Sequence, residues 1–127
     1  MFPDTKISGT ITEFGKGVIN ALPYGYSRQD MENAMQLIIT VWNSLVLDAW
    51  HKTDANEKRL LETISREPKM VQLEIKRLIK RKKKKFADDI RAVGEHWIRE
   101  EQGEYIFGCE ARLDIEKMPV HEDSPKH

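Results

Sequence analysis

The longest apolar series in the chain runs from Met31 to Trp50, and its spacing is helical. Met31, Met35, Ile38, Trp42, Leu45 and Ala49 form one stripe, which Ala34, Leu37 and Val41 with Ile39, Val46 and Trp50 widen nearly all round. Such a pattern predicts a helix buried on most sides, opened by Ser27 with Asp30 at the third helical position. Its remaining stripe, Asn33, Gln36, Thr40, Ser44 and Asp48, is mostly polar but uncharged, which suits a helix–helix or subunit contact better than open solvent.

Weaker helical patterns flank this one. Thr10 and Glu13 have the spacing of a capping box, with Ile11, Phe14 and Val18 on one face behind it and Gly15 and Gly17 weakening the helix. Pro23 to Tyr26 reads as a turn. Asp54 with Glu57 predicts a second capping box before a short helix carrying Leu60, Leu61 and Ile64. Pro68 restarts the chain in the first turn of a helix that buries Val71, Ile75, Leu78 and Ile79, has Met70 at its edge and runs to about Lys85.

Beyond Phe86 the period shortens to two, and Val93 to Leu113 predicts a hairpin turning at Gly103. A three-residue loop, Glu101 to Gly103 with Gly103 left-handed, places Val93, Glu95, Trp97 and Arg99 on one face with Tyr105, Phe107, Cys109, Ala111 and Leu113. A slip of one residue puts His96 and Ile98 there instead, and the pattern leaves both registers open. The expected fold is therefore α+β: about four helices around the central apolar helix, with a C-terminal antiparallel β-hairpin packed against them. One domain spans residues 1–117, and the composition of residues 118–127 predicts a disordered tail.

Charge changes this picture. The 127 residues hold 21 Lys plus Arg and 21 Asp plus Glu, so the chain is no general polycation. The neutral total hides a strong segregation: the balance is −2 up to Ile75, +8 from Lys76 to Lys85 and −6 from Phe86 onward. Lys76, Arg77, Lys80, Arg81, Lys82, Lys83, Lys84 and Lys85 are the candidate phosphate-binding residues, because clustered cations neutralise a polyanion and release its counterions. The competing reading, a solvated helix end favoured by the carbonyl dipole, is the stronger one because no aromatic, Asn or Gln residue interleaves the tract to stack or read bases.

Candidate chemistry is sparse. Ser44, Asp48 and His51 share a helical face, but the acid stands in the middle and Ser44 and His51 are about 10 Å apart along the axis, so no hydrolase triad is expected. Asp48 is read as a partly exposed partner of His51. His96 and Cys109 face one another in one hairpin register without further ligands, and the single cysteine excludes a Cys-rich zinc site. Acid-x-Lys spacings at Glu74 to Lys76 and beside Lys117 lack the strand context of a nuclease site. No glycine-rich phosphate loop, cofactor motif or metal set is read. Without an apolar leader or a run of about 18 apolar residues, the expectation is a cytoplasmic protein with no membrane segment.

The strings T-V-W-N from Thr40, L-D-A-W from Leu47, R-K-K-K-K-F-A-D-D from Arg81 and C-E-A-R-L from Cys109 give the chain, over roughly Ile7 to Leu113, a faint likeness to a group of small bacterial proteins of unknown function. The resemblance implies a stand-alone bacterial cytoplasmic protein and carries no activity, cofactor or site residue. The expected function is a small non-enzymatic interaction or regulatory protein, homodimeric or bound to another protein through Asn33, Gln36, Thr40, Ser44, Trp97, Ile98, Ile106 and Phe107. The alternative is nucleic-acid binding through the tract 76–85.

Overall fold

Ser27 stops the backbone in an extended conformation and accepts a hydrogen bond from the Asp30 amide, while the Asp30 carboxylate accepts one from the Ser27 amide. This reciprocal box opens the longest helix, Arg28–His51, in a computed structural model that describes residues 6–112. The proposed tail and Leu113 lie outside the described residues. In chain order the elements are α1 (Ile7–Phe14), α2 (Lys16–Asn20), α3 (Arg28–His51), α4 (Ala55–Ile64), α5 (Lys69–Lys85), β1 (Ala92–Glu101) and β2 (Glu104–Arg112). The fold is α+β, with five helices where about four were expected.

The extra helix comes from Gly15, which breaks the first pattern into α1 and α2. A Cβ at Gly15 would overlap the Ile38 side chain, so glycine lets the end of α1 lie against α3. The capping box expected at Thr10 is absent. α1 already begins at Ile7, and Thr10 is buried in its second turn, where its hydroxyl accepts a hydrogen bond from Arg91 at 3.1 Å.

α3 is the centre of the core: Met35, Ile38, Val41, Trp42 and Val46 are wholly buried, together with Ile11 and Phe14 of α1. Phe14, Trp42 and Phe86 meet edge to face with ring centres 5.1–5.7 Å apart. Each such large apolar side chain contributes about 1.5–3 kcal/mol on burial. Trp50, expected in the apolar surround, is 41% exposed at the helix end.

The hairpin takes the second register. Glu101 pairs with Glu104, leaving Gln102 and Gly103 as a two-residue turn with φ of 52° and 81°. Two left-handed residues match the right-handed twist of the strands, which a three-residue loop would not need. Ile98 therefore stands opposite Phe107, His96 opposite Cys109, and Trp97 opposite Gly108 on the other face. A bulge at Gly94 and Glu95 then restores Val93, opposite Ala111, to the buried side. The expected placement of Glu95, Trp97 and Arg99 with Phe107 is thus corrected, while Val93, Tyr105, Cys109 and Ala111 keep their side. A Cβ at Gly108 would overlap the Trp97 indole, so the glycine seats that ring flat across the strand.

α1 packs on β2 and α3 on β1. Four α3 side chains also bond backbone carbonyls at and just before β1: Arg28 to Ile98 (2.6 Å), Trp42 to Arg91 (2.7 Å), Asn43 to Val93 (3.0 Å) and Trp50 to Ile90 (3.1 Å). Asn43 also accepts from the Val93 amide at 2.8 Å, completing a strand-like pair. Backbone groups that a lone hairpin would leave open are therefore satisfied from within the chain. Trp42, Asn43 and Trp50, which carry much of the resemblance noted above, have structural work here.

Candidate functional site

The basic tract occupies the last turns of α5, and helical periodicity divides its cations among three environments. Lys82 follows Leu78 and Ile79 on the buried stripe and is only 5% exposed. Its ammonium donates to the carbonyls of Phe86 (2.8 Å) and Asp89 (3.0 Å) and lies 4.6 Å from the Trp42 ring centre. Burial lowers its pKa, opposed by the charges of Asp89 and Asp88. Lys82 is therefore corrected from a candidate phosphate ligand to a structural cation that ties the end of α5 to the approach to β1.

A second group is committed at the surface. Arg81 donates to the carbonyls of Phe14 (3.1 Å) and Glu13 (3.0 Å), closing the exposed end of α1, and its guanidinium lies over the Phe86 ring. Arg77 pairs with Glu74 and Lys83 with Glu57, each at 2.8 Å. The third group, Lys76, Lys80 and Lys84, forms an exposed column four residues apart that makes no ion pair among the described residues, and Lys85 is exposed beside it.

The first turn of α2 faces this flank of α5. Between them lies a cleft of about 310 Å³ lined by Lys16, Gly17, Arg77, Lys80, Arg81, Lys84 and Lys85. Six of those seven residues are cations; the carboxylates bound to them are Glu13, which pairs with Lys16 at 2.8 Å and with Arg81 at 3.3 Å, and Glu74. Four positive charges are left in excess. The Glu13 pKa is lowered, chiefly by the hydrogen bond from Lys16, with the charges of Lys16, Arg81 and Lys85 adding to it. Sequence reasoning missed Lys16, because nothing local distinguishes it; only the Gly15 break brings it to α5.

The other candidates separate. Asn33, Gln36 and Thr40 are exposed, and this stripe is hydrogen-bonded along itself, Gln29 to Asn33 at 3.0 Å and Gln36 to Thr40 at 3.4 Å. Ser44 is half-buried. Ile98 is 7% exposed and belongs to the chain's own core. Ile106 and Phe107 are half-buried on opposite faces, and Trp97 is 41% exposed. One hollow of about 280 Å³ brings Gln36 together with Arg28, Glu32, His96, Trp97 and Ile98.

Asp48 is buried rather than partly exposed, and it does not bond His51. Its oxygens accept from the amides of Asn56 (3.0 Å) and Glu57 (2.9 Å), so an acid from α3 caps α4 in place of the box expected from Asp54. With both oxygens so engaged and His51 exposed, the Ser44–Asp48–His51 face assembles no triad. His96 does stand opposite Cys109, whose thiol is pushed up to about 11 by burial. Among the described residues no group of three or more His, Cys, Asp or Glu is placed to hold a metal, and no helix is long and apolar enough to cross a membrane. No family model, curated protein or solved structure matches the chain, so the cleft is read from its own charges and distances.

Proposed function

We propose that this chain is a binding protein for the phosphate backbone of nucleic acid, with the α2–α5 cleft and the adjoining Lys76, Lys80 and Lys84 column as its contact surface. One observation carries this reading: six cationic residues from two separate elements line one open cleft, with two carboxylates paired among them. The expected solvated helix end accounts for cations in the last turn, where the helix dipole favours them, but not for Lys16, Arg77 and Lys80. Like charges four residues apart along α5 cost about 0.2–0.5 kcal/mol per pair, and a bound polyanion reverses the sign of that term. The reading is compatible with the cytoplasmic location expected from the sequence, and it needs no reacting group. Fluorescence anisotropy with generic duplex DNA, single-stranded DNA and RNA at low salt tests it. Binding that weakens when Lys80, Lys84 and Lys85 are changed to Gln supports the proposal; no binding to any of the three contradicts it.

Self-association is the second reading, favoured by the hollow that joins Gln36 to the exposed Trp97. A two-fold contact there would lay hairpin against hairpin and bring basic and acidic segments of two copies together. Sedimentation equilibrium at micromolar concentration is expected to give twice the monomer mass, reduced to one by Trp97→Glu. A monomer at high concentration excludes it.

A further inference from the structure

We infer that β2 is an open edge that pairs with β2 of a second copy, antiparallel about a two-fold axis at Gly108, to make one four-stranded sheet. It shares with the second reading above only the meeting of two copies: the contact lies across the hairpin from the hollow beside Gln36.

The backbone supplies the first argument. In an antiparallel pair, opposed residues alternate between exchanging hydrogen bonds and turning their amides and carbonyls outward. Ile98 and Val93 turn outward on β1, where Arg28 and Asn43 of α3 bond them. Their partners Phe107 and Ala111 therefore turn outward on β2, and by alternation so do Tyr105 and Cys109. Among the described residues nothing bonds these outward groups: α3 covers one edge of the hairpin and no strand pairs with the other. β2 also lacks the usual protections of a free edge. It has no proline or lysine, the bulge is in β1, and the positions facing the core are all apolar.

The side chains select the partner. β2 runs Glu104–Arg112, so Gly108 is its midpoint, and a two-fold axis there matches every residue with one of the other copy. Glu104 then stands opposite Arg112 of the other copy at both ends, a charge order that a second β2 supplies by symmetry. On the core side Tyr105 lies beside Ala111 of the other copy and Phe107 beside Cys109, large against small. This continues the apolar face on which Tyr105 and Phe107 are only half-buried in one copy. On the outer side the two Gly108 residues meet. Each lies under its own Trp97 ring, which is 41% exposed, so the two indoles come together over the axis at the roughly 4.5–7 Å spacing of aromatic pairs. An axis one residue away, at Phe107, instead opposes Glu104 to Glu110 and sets Phe107 against itself.

The test uses the full chain. Sedimentation equilibrium at micromolar concentration is expected to give twice the monomer mass. Glu104→Arg, which opposes like charges at both ends, weakens the dimer about tenfold, and adding Arg112→Glu restores it, a recovery that a misfolded variant cannot give. Oxidation reads the register. Glu104→Cys with Arg112→Cys is expected to give a disulfide-linked dimer, because the two positions are opposed without exchanging backbone bonds, where side chains are closest. Eight residues of strand, about 26 Å, keep them from joining within one copy. Glu104→Cys with Glu110→Cys stays unlinked in the same time. A monomer throughout overturns both the inference and the second reading. A dimer insensitive to Glu104→Arg overturns the inference alone, and its loss on Gln36→Arg then assigns the contact to the hollow. Linkage through positions 104 and 110 in place of 104 and 112 overturns the two-fold axis at Gly108.

Discussion

Asp48 shows how a side chain's role is settled by an element that begins after it in the chain. It sits among apolar neighbours on α3, yet its charge is spent on the first amides of α4, where a carboxylate also opposes the positive end of the helix dipole. Asp48→Asn is expected to keep the fold and cost about 1–3 kcal/mol in a urea titration, because an amide nitrogen must then face a backbone donor. Ser44→Ala is expected within about 0.5 kcal/mol of the parent. Lys82 is a second buried charge with a pH signature. Burial lowers its pKa, so between the folded value and the ordinary lysine value the unfolded chain binds this proton and the folded chain does not. Stability from this site therefore rises with pH through that interval, and the cost of burying the charge is fully present below it. Urea midpoints of the protein and of Lys82→Met, compared from neutral to alkaline pH, are expected to move in favour of the parent. The Cys109 thiol, pushed up to about 11, is expected to resist alkylation at neutral pH until the protein is unfolded, since the thiolate is the nucleophile.

At the scale of elements, legibility follows the strength of the local signal. α3 and α5 were readable almost to their ends because Ser27 and Asp30 cap one, Pro68 precedes the other and both keep a helical apolar period. α4 was readable in extent but not in its cap, since Asp48 lies eight residues from Asn56. The split of α1 from α2 depends on Gly15 meeting Ile38, a tertiary fact. The hairpin register turned on one residue of loop length, and the bulge at Gly94 and Glu95 restores Val93 in a way that strict alternation hides. Lys82 was different: its place after Leu78 and Ile79 made it legible as an inward position, masked by the run of lysines around it. Gly108→Val is expected to cost about 1–3 kcal/mol, because its side chain must displace the Trp97 ring. A loss of stability accompanied by a changed tryptophan emission spectrum confirms that cause, and an unchanged melt contradicts it.

For the whole molecule, the neutral composition is the least informative number and its spatial arrangement the most. Eight basic residues in ten become, on folding, one buried brace, committed surface cations and a set left open to solvent, and Lys16 joins that set across the cleft. The tract was visible in the sequence; the cleft was not, because its second wall comes from some sixty residues earlier. Backbone binding by this set has a thermodynamic signature, since each neutralised phosphate releases counterions. The most direct measurement is the salt dependence of affinity for a single-stranded oligonucleotide. With about four to five phosphates engaged, log K against log salt is expected to fall with a slope of about −3, and Lys76, Lys80, Lys84 and Lys85 changed together to Gln should bring it close to zero. No binding at low salt, or the same slope in protein and variant, would contradict the assignment of this surface.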